Sequence, residues 1–372
     1  MKRRLIPDFP GYRTIDRYIL GKFLRTYLFG LIAMVVVIVI FDYSEKVDDF
    51  MEKGAPMHDV IYKYYFNYVP YVVNQFSALF TFISVIFITS KMAMQTEIVA
   101  ILSGGVSFKR LMWPYMLGSF IIAAASLVLS LWVIPVSQNE STKFLAKYMK
   151  KNPQVRYDEV VVQEIAPNEF FIVQGYNPEM EVIPGVYIER YDENKELVFK
   201  SEAKNVKINR DNGEWHGERS KTYQRVSENE YDVEARPNYS ITPDIDEREL
   251  GQMKQLVKTM TIDELNEFRK VQVRKGSKSV AIIDVERHLR VSYPISTFIL
   301  TIIGVALSSR KVRGGMGMHI GLGITLCFSY IMLGRVFEQI AMSGSIEPWL
   351  GVWLPNIIFA VIAVVLYIKA PK

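Results

Sequence analysis

The sequence predicts an α-helical membrane protein with six transmembrane helices, three on each side of an inserted all-β domain that is a sandwich, jelly-roll-like or a barrel. Three observations lead there. Six long apolar runs interrupt a chain that is 22% charged. The Lys and Arg residues between those runs gather on alternate flanks. The stretch between the third and fourth runs has the punctuation of short strands. With half of its residues apolar and a mean hydropathy of only +0.12, the chain suits neither a soluble enzyme nor a bare membrane bundle.

A helix needs roughly 20 apolar residues to cross a bilayer, because its backbone polar groups must be satisfied inside the segment. Runs at about 18–41, 62–90, 111–135, 290–309, 318–338 and 349–369 meet that requirement. The second is overlong and carries Lys63, so it is expected to tilt or to extend beyond the lipid. Pro70, Pro114, Pro294 and Pro355 fall within or near the ends of these runs, where membrane helices tolerate kinks. The basic start, Lys2-Arg3-Arg4, leads into a run too long for a cleaved signal.

Orientation follows the basic flanks. Arg13, Arg17, Lys22 and Arg25 precede or open the first run, and Lys91, Lys109 and Arg110 flank the turn after the second. Arg310, Lys311 and Arg313 follow the fourth, and Lys369 and Lys372 end the chain. The connection after the first run is acidic instead, with Asp42, Glu45, Asp48, Asp49, Glu52 and Asp59. Both termini are therefore expected in the cytoplasm and the central insertion on the opposite side of the membrane. The expected domains are 1–136 with helices one to three, 137–289 as the β-domain, and 290–372 with helices four to six.

Within the insertion, Val160-Val161-Val162, Phe170-Phe171-Ile172-Val173, Val186-Tyr187-Ile188 and Leu197-Val198-Phe199 read as strands. Asn177-Pro178, Pro184-Gly185, Asp192 to Asn194, and Asp211-Asn212-Gly213 read as turns. Phe170, Ile172, Val186 and Ile188 are expected to face inward, as plain core packing or as the lining of an acyl-chain groove. Thr261-Ile262-Asp263-Glu264 fits a capping box opening a helix to about Arg274, stopped at Gly276.

Several chemistries are excluded. Cys327 is the single cysteine and lies in an apolar run, so there is no disulfide framework and no Cys-based metal site. Gly21-Lys22 is followed by Phe23 and makes no Walker A motif, and neither HExxH nor GxSxG occurs. His58, His216, His288 and His319 are scattered. No catalytic residue, metal site, cofactor or nucleic-acid partner is expected. Arg335 and Glu338 lie one turn apart in the fifth run, as a structural ion pair or as a contact for a polar headgroup.

The informative segment joins the second and third runs: Met94-Gln95-Thr96-Glu97-Ile98-Val99-Ala100-Ile101-Leu102-Ser103-Gly104-Gly105. Met94, Ile98, Ile101 and Leu102 recur at helical spacing, Glu97 lies beside that stripe, and Gly104-Gly105 supplies a stop. A short helix at about 93–105 suits docking on a soluble partner; periodicity alone fits a passive interfacial helix equally well.

This segment resembles that of the LptF/LptG family of lipopolysaccharide-transport permeases, and the resemblance covers nearly the whole chain. Further matching pieces are Ile15-Asp16-Arg17-Tyr18-Ile19, Glu286-Arg287-His288-Leu289-Arg290 with Pro294, Arg313-Gly314-Gly315, Gly321, Pro348 and Trp353-Leu354-Pro355. The Asp16-Arg17-Tyr18 start is slightly closer to LptG. The resemblance implies a permease without an ATPase site of its own, pairing with a second LptF/LptG-type permease. Below them an LptB-type ATPase dimer would bind the ATP and Mg. Lipopolysaccharide, held by its lipid A, would leave the membrane lipid and pass to the β-domain and to an LptC-type jelly-roll protein.

In that family Glu97, Ile98, Ile101, Leu102, Gly104 and Gly105 would form the ATPase-coupling helix, with Glu97 meeting a basic residue. Some members place a lysine where this chain has Asp42, and Lys46, one turn on, could substitute in binding the phosphates, or else be a solvated lysine. Lys53 and Arg335 are further candidates. Competing readings are a different ABC-type lipid or lipoprotein exporter, a membrane enzyme, and a scaffold for the β-domain. The six spans weigh against the first, the lack of convergent acids and bases against the second. A scaffold would need only one anchor.

Overall fold

The computed structural model describes residues 14–149, 160–174, 182–208, 214–227, 230–241, 253–274, 277, 279–310 and 315–370. The basic groups Lys2, Arg3, Arg4, Arg13, Lys311, Arg313 and Lys372, the turns at Asn177-Pro178 and Asp211 to Gly213, and Gly276 lie outside these residues. The chain forms two compact units, Met1–Met149 with Asp284–Lys372, and Lys150–Ile283.

The first unit is helical. Its elements are α1 (Thr14–Glu52), the single turn α2 (Met57–Asp59), α3 (Phe66–Met94), α4 (Glu97–Ser103), α5 (Phe108–Val128) and α6 (Ile134–Tyr148). π-helical turns at Val60–Tyr65 and Leu129–Val133 make α2 with α3, and α5 with α6, continuous. After the second unit the chain returns as α9 (Val280–Ser308), α10 (Gly315–Met342) and α11 (Pro348–Lys369), α9 starting within that unit. Among the described residues, six helices are long and apolar enough to cross a membrane. At 1.5 Å per residue α1 extends about 58 Å, well beyond a hydrocarbon core of roughly 30 Å. Its acidic last turns lie beyond the apolar run of 18–41. Pro70, Pro114, Pro294 and Pro355 all sit inside helices.

Two cores meet on α3. On one side Ile19, Phe23, Tyr27 and Leu31 of α1 pack with Val85, Ile88 and Met92 of α3 and with Leu111, Tyr115 and Ile122 of α5. On the other, Phe82 and Ile86 of α3 pack with Leu300 and Ile303 of α9, Cys327 and Tyr330 of α10, and Phe359 of α11. Small residues permit the approach. A Cβ on Gly118 would lie 2.5 Å from the Phe23 ring, and one on Gly323 would lie 2.2 Å from Ile86. Polar groups inside the bundle bond to one another. Ser119 and Thr301 hydroxyls are 2.6 Å apart, Tyr330 donates to Asn356 at 2.8 Å, and Asn356 donates to Ser292 at 2.8 Å. In hydrocarbon an unmet partner would cost several kcal/mol, on the order of the full desolvation of the group.

The second unit is the expected all-β insertion. Strands β1 (Val160–Ala166), β2 (Glu169–Gln174), β3 (Val182–Tyr191), β4 (Leu197–Ile208), β5 (Trp215–Ser227) and β6 (Glu230–Ile241) form one antiparallel sheet in sequential order. This meander refines the jelly-roll-like expectation, since each strand pairs with the next instead of crossing between two sheets. Short turns cause it: Asn168 and Lys195, at φ +61° and +65°, reverse the chain between β1 and β2 and between β3 and β4.

The inner face comprises Phe171, Val173, Ile183, Val186, Ala203, Val206 and Trp215, with Ile188 packed against them. Val186 and Ile188 are thus inward as expected, but Phe170 and Ile172 are not. Phe171 pairs with Ile188 and Val173 with Val186, so β2 presents the opposite parity. Phe170 packs instead on Tyr191, ring centroids 5.8 Å apart. Four consecutive apolar residues carry no alternation, and only the cross-strand partners decide which pair is buried. After β6 come α7 (Met253–Thr259) and α8 (Ile262–Arg274). The capping box is formed as expected: Glu264 accepts from the Thr261 N–H at 2.8 Å, and the Glu264 N–H reaches the Thr261 hydroxyl at 3.4 Å.

The α1–α5 contact predicts a contrast between two glycines. Gly118→Ala should destabilise the purified protein by about 1–3 kcal/mol, the usual cost of overpacking. Gly21→Ala, where nothing lies within 4 Å, should be neutral or slightly stabilising. Thermal unfolding in detergent checks both, and equal shifts would contradict the packing.

Candidate functional site

α3 turns into α4 through two residues. Thr96 adopts φ +61°, a left-handed conformation uncommon for a β-branched residue, and its carbonyl accepts from the Ala100 N–H at 2.9 Å. The helix proper is Glu97–Ser103, the middle of the expected 93–105. At its end the Gly105 N–H donates to the Leu102 carbonyl at 3.0 Å and the Val106 N–H to the Ile101 carbonyl at 3.4 Å. Gly105 stands at φ +86°, so this is a Schellman stop, and of the two glycines it is Gly105 that requires the absence of a Cβ. Ser107 then caps α5 by accepting the Arg110 N–H at 3.3 Å.

The apolar stripe of α4 divides. Ile98 is fully buried in the α1–α3–α5 core, and Ile101 and Leu102 pack against that core. A helix of seven residues has no stability of its own, so its apolar face closes on the nearest apolar surface. These three side chains fasten α4 to its own chain and are not displayed for a partner. Met94, Val99, Ala100 and Ser103 remain exposed, with Gly104 and Gly105 beyond them.

Glu97 stands at the border of that surface, part-exposed and already in company. The Tyr18 hydroxyl donates to both of its carboxylate oxygens at 3.2 Å. Lys22 Nζ lies 3.4 Å from one of them, and also bonds the Tyr18 hydroxyl and sits 4.0 Å from the centre of its ring. Two residues before Tyr18, Asp16 is 1% exposed and receives both arms of the Arg110 guanidinium, each at 2.5 Å. This fork ties the start of α1 to the start of α5.

Sequence alone does not mark Tyr18, Lys22, Asp16 and Arg110 as partners. A signal for Asp16 exists: it precedes Ile19, Phe23, Tyr27 and Leu31 by three residues and then by successive turns, which places an acid on the core stripe. Tyr18 and Lys22 are spaced i, i+4. Nothing local in the sequence pairs them with Glu97 or Asp16 with Arg110, which are 79 and 94 residues apart.

At the opposite end of the bundle, Lys46 is not offered to solvent. It forms an ion pair with Asp42 and donates to the Tyr64 hydroxyl at 2.5 Å, with the rings of Tyr64 and Tyr68 at 4.9 and 5.6 Å. Tyr64 and Tyr65 also donate to Asp42, at 2.9 and 3.2 Å. The charge expected to substitute for the absent lysine is therefore balanced within the chain. Lys53 is exposed and reaches the Met149 carbonyl at 3.3 Å. Arg335 bonds Glu338 at 3.1 Å, the acid buried and the guanidinium half-exposed. It edges a cavity of about 100 Å³ whose wall includes Gln75, Tyr293, Ile331 and Gly334.

A family model described as "Lipopolysaccharide export system permease LptF/LptG" matches residues 17–369. No curated protein matches the chain.

The buried fork predicts a large stability effect. Asp16→Ala removes the two-pronged partner of the buried Arg110 guanidinium and should cost about 3–5 kcal/mol. Asp16→Ala with Arg110→Met should recover most of that, because no ion is then stranded. Melting temperatures of the two variants against the parent are the check, and an equal or deeper loss in the double variant would contradict it.

Proposed function

The chain belongs to the LptF/LptG family of lipopolysaccharide export permeases, and from that premise we propose that it is the membrane half of an ATP-driven lipopolysaccharide extractor. It is a multi-pass inner-membrane protein and not itself catalytic. In the proposed complex it pairs with a second LptF/LptG-type permease. An LptB-type ATPase dimer docks beneath α4 from the cytoplasm and supplies the ATP and Mg. Both termini lie on that side, and the β-domain lies in the periplasm next to an LptC-type protein.

The observation that carries this reading is the form of α4. It is a short helix anchored by Ile98, Ile101 and Leu102, stopped at Gly105, and edged outward by the Glu97 carboxylate. A rigidly anchored helix moves with its bundle, so a force applied at Glu97 reaches α1, α3 and α5. A charge-assisted bond to a basic residue of the ATPase suits that role, being both directional and about twice as strong as a neutral one.

On the periplasmic side Lys53 and Arg335 are the proposed contacts for lipid A phosphates. Lys46 is the weaker candidate because Asp42 already balances it. In the β-domain the acyl chains would meet the inner face of Phe171, Val173, Val186 and Ile188.

Glu97→Arg is the test. The side chain is part-exposed at the edge of α4, so the variant should reach the membrane folded. Lipopolysaccharide release from proteoliposomes carrying the full complex should fall at least roughly tenfold, given about 1.5–3 kcal/mol for a bond to a charged group. Undiminished release would refute the coupling role.

A further inference from the structure

The coupling reading requires Glu97 to accept a cation from the ATPase, yet its carboxylate already has occupants. Lys22 approaches at 3.4 Å and Tyr18 at 3.2 Å, and the Lys22 and Glu97 side chains keep 35% and 28% of their exposure. The same end of α1 offers a contrast. Asp16 and Arg110 meet at 2.5 Å with 1% and 8% exposure. One pair is sealed and two-pronged; the other is long, wet and single-pronged. A solvent-exposed ion pair contributes little, so an incoming cation can replace it at small cost. A sealed pair cannot open without stranding a charge.

We propose that Tyr18 and Lys22 form an intramolecular seat for Glu97, which the basic residue of the docking ATPase takes over by displacing Lys22. The inference rests on the coupling reading and adds its regulation. The partner chemistry is a soluble protein surface presenting an arginine or lysine to the exposed edge of α4. Tyr18, as a neutral donor to both oxygens, is compatible with the new cation and keeps Glu97 aimed. Lys22 is not, because two cations on one carboxylate repel. On release its ammonium leaves the Tyr18 ring, over which it now sits at 4.0 Å. The first turns of α1 therefore have two arrangements, one for each state of the ATPase contact. Ile19 and Phe23, on the buried face of the same turns, pack against α3 and α5.

The test uses the full-length chain assembled with its partner permease and the ATPase, measuring the affinity of the ATPase for the membrane subunits and its stimulated hydrolysis. Lys22→Met keeps the stem and removes the competing charge. It should tighten ATPase binding by roughly two- to fivefold, the range of an exposed pair, with the gain shrinking at high salt. Lys22→Gln should repeat the gain, and Lys22→Arg should restore the parental affinity. In a Glu97→Gln background Lys22→Met should change nothing further. If Glu97→Gln weakens binding while the neutral Lys22 variants leave it unchanged or weaker, the exchange is overturned and the coupling reading stands. If Glu97→Gln itself alters neither affinity nor stimulated hydrolysis, the coupling reading falls and the exchange with it.

Discussion

Asp16 and Arg110 occupy a place where neither could exist alone. Each ion would pay several kcal/mol, on the order of its desolvation, to enter this apolar surround, and only a two-pronged contact returns enough of it. That condition has geometric consequences. The guanidinium plane and the carboxylate plane must coincide, so the first turn of α1 and the first turn of α5 are fixed in distance and in rotation. α4 lies between α3 and α5 in the chain, and its Ile98 is buried in the core those helices share with α1. The positions of Tyr18 and Lys22 relative to Glu97 follow from the fork, since they stand on the same stretch of α1.

The opposite end obeys the same demand with different residues. Lys46 is balanced by Asp42, and two tyrosine hydroxyls complete the acid. Arg290 is held by Glu286 and Arg335 by Glu338. Charges sealed in this way, Lys46, Arg290 and Glu338 among them, are poorly placed to bind anything new. Charges left half-wet, such as Lys22, Lys53 and the guanidinium of Arg335, can change partner. The division between structural and functional charge in this chain thus follows exposure, and the type of residue says little about it.

The helical part of the fold was legible because the bilayer sets a length that composition must meet. The capping box at Thr261 was legible because its partners are three residues apart. Lys46 and Asp42, at i and i+4, could have been paired on the same ground. The inner face of β2 was not readable: Phe170 to Val173 are all apolar, and their burial is decided by partners on β3. The direction of the α4 stripe was also hidden. Spacing shows that Ile98, Ile101 and Leu102 share a face, but not whether the surface it meets belongs to the same chain. Glu97 was found through its segment, whereas Asp16, Tyr18, Lys22 and Arg110 needed the tertiary contacts that bring distant parts of the chain together.

The two π-helical turns, Val60–Tyr65 and Leu129–Val133, have a consequence for comparing this chain with others. Relative to an uninterrupted α-helix, one additional residue in a turn advances every later side chain by about 100°. A relative whose second or third membrane helix runs straight would align with this one only through a one-residue gap inside the span. Left ungapped, such an alignment would equate lipid-facing positions with packed ones over the whole remainder of the helix. A gap within a membrane span is usually taken as an alignment error; at these two places it would be the faithful correspondence.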